Sequence, residues 1–344
     1  MLGTLRFFLA CVVALSHMHG AYLPLNLGGT AVVIFYFISG YLMNRSYQRF
    51  ASPLAFYKDR VIRIFPVYLV ALAVALPVLY IIGRLPADFS IEDILANVLV
   101  VPLNYYVTSG YTVIRPAWSL ASELHFYALV PLLFLLRGRI LALGAIALTV
   151  VHIAAFFAAF TVSDTVIGGS GSTWLAYRLP FSIVAVFVAG FISAESDDDS
   201  RYGLRTCWAF YVLFFFVLGQ VGRLTDLAMI EISLGAVIAP PLVAAAINLP
   251  SIEGLDRILG GLAYPLFLTH IIAQQFVEFV TAKLGWGRLP YVLLAWVLSL
   301  GSAYLLWWFV DKPMGARRYK SRGFDQIVLK SAEPVTALPV KQAS

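Results

Sequence analysis

The chain has 344 residues, of which 61% are hydrophobic and only 12% charged, with a net charge of +6. Soluble domains carry roughly 25% charged residues, so this composition excludes an ordinary soluble fold and reads as a polytopic membrane protein. The excess of Lys and Arg is read as a topology signal, which leaves little reason to expect a nucleic-acid partner.

The first predicted span covers about 7–22, in the stretch RFFLACVVALSH that begins at Arg6 and ends at His17. At about 100° per residue, eleven positions bring these side chains within about 20° of each other, about three helical turns apart. A rise of about 1.5 Å per residue separates them by roughly 16 Å, about half the hydrocarbon thickness. Ionisable groups at that depth are costly, so the pair is a functional candidate; an interfacial Arg with a buried, hydrogen-bonded His is the structural alternative. No A-x-A-like cleavage site follows, and the segment is read as a retained span rather than a signal peptide. Cys11 and Cys207 both fall within predicted spans, which argues against a structural disulfide or a Cys-based metal site.

The second span, 28–44, ends in aromatics followed by Ser39-Gly40. Small residues there allow another helix to approach closely, and Ser39 is able to hydrogen-bond across the contact. A basic loop follows, in which Arg60 and Arg63 share a helical face before Pro66. Guanidinium forks suit phosphate; binding to lipid head groups as a topology determinant is the alternative. After the span at 64–83, the run near 91–107 is short and interrupted by Asn97, Pro102 and Asn104, and reads as re-entrant or interfacial.

The span at 118–136 carries the sharpest polar pattern. Trp118 is expected at the outer boundary as part of an aromatic belt. Ser119, Glu123 and Tyr127 recur every four residues as one polar stripe. Glu123 is expected about 7 Å below the outer edge, at a depth comparable to His17, so that a His–carboxylate pair is geometrically possible. His125 points to nearly the opposite face, and Arg115 flanks the outer end. Spans at 140–160, 178–194, 206–222, 229–247, 258–277 and 290–310 follow. Arg178 opens one of them, and it and Arg115 either hold an acidic acceptor or anchor helix ends. His270 lies in the outer half of another, and His19 and His152 read as structural.

Together these runs predict an all-α helical bundle of about ten spans with both termini cytoplasmic. Most Lys and Arg then lie inside, leaving Arg84, Arg115, Arg178, Arg223, Lys283 and Arg288 outside. Residues 1–321 form one membrane domain, and the polar segment 322–344 reads as a disordered cytoplasmic tail.

Seven motifs in this order resemble membrane acyltransferase family three, the O-acyltransferases of sugars and polysaccharides. They are Arg6 with His17, FYFISG at 35–40, RVIRIFPVY at 60–68, WSLASELHFY at 118–127, YRLPFSIVAVFVAG at 177–190, AYPLFLTH at 263–270 and VDKP at 310–313. The resemblance implies a multi-pass protein of the bacterial inner membrane. It would move an acyl group, acetyl by default, from cytoplasmic acyl-coenzyme A to a hydroxyl of a carbohydrate or lipid-linked glycan on the far side. His17, Glu123 and Arg6 match its catalytic positions, Arg60 and Arg63 with Ser39 its donor side, and Arg115, Tyr127, Arg178 and His270 stand as acceptor-side candidates. Val33 sits where many relatives carry an acidic residue, and Asp311 replaces the usual Glu before Lys-Pro. A neutral imidazole is able to take the hydroxyl proton, and no ligand spacing suggests a metal. The rival reading, a transporter or flippase for a lipid-linked sugar, would be favoured by inverted repeats, and none is detectable.

Overall fold

A computed structural model describes residues 1–18, 27–105, 110–166, 180–220 and 227–315. The expected site residue Arg178, together with His19 and the tail 322–344, lies outside them. Among the described residues the architecture is helical with no strand. The helices are α1 (Leu2–Ser16), α2 (Gly28–Tyr47), α3 (Pro53–Ile81), α4 (Ile91–Leu99), α5 (Ala117–Leu135), α6 (Gly138–Val166), α7 (Pro180–Ile192), α8 (Asp198–Gln220), α9 (Leu227–Asn248), α10 (Glu253–Lys283) and α11 (Arg288–Leu306). Among the described residues, each of the ten long apolar runs lies mainly on one helix. Five helical stretches are long and apolar enough to cross a membrane: Pro53–Ile81, Ala117–Leu135, Gly138–Ala155, Ile230–Asn248 and Arg288–Gly315.

The interrupted run folds as the short helix α4 and a 3-10 turn, Val101–Asn104. Val100 between them adopts φ +68°, which ends α4. The polar residues that break the hydrophobic run are what hold this non-helical backbone. Ser90 and Asp93 form a capping box at the start of α4. Asp93 also accepts from the Tyr111 N–H at 2.8 Å, while Asn97 donates to the Tyr111 carbonyl at 2.7 Å and accepts from the Val113 N–H at 2.9 Å. The Ser90 N–H, helped by the Tyr111 N–H and the Ser90 hydroxyl, holds the Asp93 carboxyl below its ordinary range.

Two close helix contacts set the frame of the site. Gly40 of α2 and Gly190 of α7 face each other's helices. A Cβ on Gly40 would run into the Phe187 carbonyl, and one on Gly190 into the Phe37 carbonyl. Helix α1 lies along α10, with Gly3 against Gly260. Its first turn is capped by Asp256 of α10, which accepts from the Gly3 N–H at 3.2 Å and from the Thr4 N–H and hydroxyl at 2.8 Å each. At the other end, the Gln274 amide of α10 donates to the Ala14 carbonyl at 2.9 Å. With both ends of α1 pinned, Arg6 and His17 are fixed against α10. His17 is the C-cap residue of α1 and retains a helical backbone, φ −94°, so the expected spacing is preserved.

Candidate functional site

The polar side chains that interrupt the apolar helices converge on three cavities that share wall residues. The first, about 150 Å³, is bounded by Arg6, Ser39, Arg60, Arg63, Glu123 and Tyr127. The second is a neck of about 60 Å³ that has Arg6, Ser39, Glu123 and Tyr264 in common with the first. The third, about 370 Å³, meets the neck at Val32, Ser119 and Phe267, and is walled by His17, Arg115, Trp118 and Glu231. The three cavities therefore adjoin in series from the basic loop, past Arg6, to His17.

In the basic cavity the two arginines differ. Arg60 is buried and ion-paired with Asp59, lies over the rings of Phe56 and Tyr127, and contacts the Met43 sulfur at 3.7 Å. Arg63 is half-buried on the same cavity wall. Helix geometry puts both on one face, as the i, i+3 spacing predicts, but Asp59 already occupies the Arg60 fork.

In the neck, Glu123 accepts from the Ser39 hydroxyl at 2.7 Å and from the Tyr127 hydroxyl. The four-residue stripe of α5 thus forms one face: Ser119 reaches the His17 cavity, Glu123 the neck and Tyr127 the basic cavity. This arrangement corrects two expectations. Trp118 is 9% exposed and lines the His17 cavity rather than standing as an exposed belt residue. Glu123 lines the neck beside Arg6 and Ser39 and is not among the residues that line the His17 cavity. Tyr127, expected on the acceptor side, belongs with the arginines.

His17 and His270 stack with ring centroids 5.5 Å apart and an interplanar angle of 20°. His17 is exposed toward its cavity, whereas His270 is fully buried. The His270 Nδ1 lies 3.0 Å from the Leu266 carbonyl, which only accepts, so that nitrogen carries the proton. His270 therefore backs His17 and has no surface for an acceptor, contrary to its expected place among substrate contacts. His125 bonds to the Ala121 carbonyl and Tyr105, and His152 to Tyr211, both away from the cavities.

Two wall residues escaped the sequence reading. Glu231, in the run LAMIEISLGAV, is a lone carboxylate in an apolar span, a signal that intramembrane charge should have flagged. Tyr264, the second residue of AYPLFLTH, lines the neck, and its hydroxyl donates to the Ile64 carbonyl at 3.2 Å.

The family model described as Acyltransferase domain matches residues 2–308. The chain is 28% identical over 322 residues to the exopolysaccharide production protein ExoZ of Rhizobium meliloti (strain 1021), covering 86% of this chain and 92% of that protein. It is 26% identical over 345 residues to nodulation protein 10 of Rhizobium leguminosarum bv. viciae, covering 90% and 91%. An uncharacterised protein of Aquifex aeolicus (strain VF5) is 24% identical over 221 residues, covering 62% of this chain and 92% of that protein. No solved structure matches the chain.

Proposed function

From the membership of this chain in the acyltransferase-domain family, which makes it an acyltransferase, we propose that it transfers an acyl group, acetyl by default, from acyl-coenzyme A to a carbohydrate hydroxyl across the bacterial inner membrane. The bundle has about ten spans with both termini cytoplasmic, an orientation supported by the distribution of Lys and Arg. A relative named for exopolysaccharide production directs the acceptor toward a surface or exported glycan.

The observation that carries this reading is the series of three adjoining cavities. Arg63 holds donor phosphate at the basic cavity, where a guanidinium fork gives charge-assisted contacts. Arg60, locked by Asp59, shapes that wall. The pantetheine arm extends through the neck past Arg6 and Glu123, which brings the thioester toward His17. There a neutral imidazole removes the hydroxyl proton as the oxygen attacks the thioester carbonyl. The new C–O bond forms, the C–S bond breaks, and the departing thiolate takes the proton back from the His17 imidazolium to leave as coenzyme A. Arg6, about three helical turns from His17, steadies the donor where it passes through the neck. Glu123, bonded to Ser39 and Tyr127, holds the neck and balances Arg6 rather than orienting the His17 ring.

Mass spectrometry of surface glycans from cells with and without the protein tests this function. An acyl mass increment on a sugar, present only with the protein, is the expected result. Identical glycans under conditions where the protein is inserted would overturn it.

A further inference from the structure

Resting on the reading of His17 as the base, the geometry points to Glu231 as an acceptor-positioning residue. Its carboxylate accepts hydrogen bonds from sugar hydroxyls that neighbour the one being acylated, and it selects a neutral polyhydroxyl acceptor over a uronic acid.

Glu231 sits on α9 and faces the cavity that also holds His17, Arg115 and Trp118. The contact between α9 and α2 at this level uses the main chain of Glu231, because the Thr30 hydroxyl donates to its carbonyl at 3.0 Å. That bond does not need the carboxylate. Room for the carboxylate is made by α2, which opens with Gly28-Gly29 on the same cavity wall; a Cβ on Gly29 would run into Glu231 Oε2.

An ionised carboxylate only accepts hydrogen bonds, so it matches hydroxyls and opposes a second anion. Arg115 supplies donors on the same wall, and the Trp118 indole offers an apolar face to a sugar ring. At about 370 Å³ the cavity falls in the range of small-molecule sites, roughly 300–1,000 Å³. A hydroxyl placed there by Glu231 shares its space with the exposed His17 ring.

The test uses right-side-out membrane vesicles loaded with radiolabelled acetyl-coenzyme A. The external acceptor is the surface glycan isolated from cells lacking the protein. Glu231→Gln keeps side-chain volume and should raise the acceptor KM about 10- to 100-fold, the loss expected for hydrogen bonds to a charged group. Donor KM should be unchanged, and Glu231→Asp should fall between. The same glycan with its primary alcohols oxidised to carboxylates should be a poorer acceptor for the wild type, and this penalty should shrink in Glu231→Gln. A merely structural role would not move that discrimination. Should Glu231→Gln fail to insert, Glu231→Asp carries the test through its intermediate acceptor KM. Unchanged acceptor KM and unchanged discrimination, with wild-type transfer intact, would overturn the Glu231 assignment alone. Absence of transfer by the wild type would overturn the proposed function and this inference with it.

Discussion

His17 and His270 carry the same ring within one stack, and exposure separates them: the first opens on a cavity and the second is fully buried. Replacing His17 with Gln removes a group able to take the proton, and should lower the transfer rate by about 10²- to 10⁴-fold at saturating donor. His270→Gln removes a backing ring and should cost less in rate while lowering thermal stability. Transfer kinetics of the two inserted variants decide between them; a silent His17→Gln beside an inactive His270→Gln would move the base to His270. The arginines divide in the same way. Arg60→Gln takes the guanidinium from buried Asp59, and breaking a buried pair costs about 3–5 kcal/mol, so its melting temperature in detergent should drop sharply. Arg63→Gln should leave the melting temperature near wild type and raise the donor KM about 10- to 100-fold. The reverse pattern would assign phosphate to Arg60.

At the scale of helices, the approach of α2 to α7 holds Ser39, and through it Glu123, at the neck. Gly40→Ala puts a Cβ into the Phe187 carbonyl, and overpacking of this kind costs about 1–3 kcal/mol. Gly144→Ala on α6, where a Cβ meets nothing within 4 Å, should be neutral or slightly stabilising. Thermal unfolding of the two variants measures the difference; equal stability would mean that the two helices are free to separate. This contact was legible in the sequence as Ser39-Gly40 after an aromatic cluster. So were the ten helices and the short interrupted element, because hydropathy runs and polar breaks act locally. The place of Glu123 at the neck, away from the His17 cavity, was not legible. An aromatic belt and a buried Trp give the same local pattern, and only the fold shows that Trp118 is buried on a cavity wall. Glu231 escaped for a related reason: its significance comes from Gly29 on another helix.

For the whole molecule, the path from Arg63 through the neck to His17 joins helices far apart in the chain, α1, α2, α3, α5, α9 and α10. The sequence therefore offered its members singly, and the motif order rather than any spacing connected them. Such a path has a function only if donor and acceptor occupy opposite sides of the membrane, with Arg63 cytoplasmic and His17 outside. The direct measurement is vectorial transfer in sealed right-side-out vesicles, with acetyl-coenzyme A placed only inside and deacylated glycan only outside. The account predicts acetylated glycan in the external medium, and none when acetyl-coenzyme A is supplied only outside. Transfer that requires both reactants on one side would contradict it.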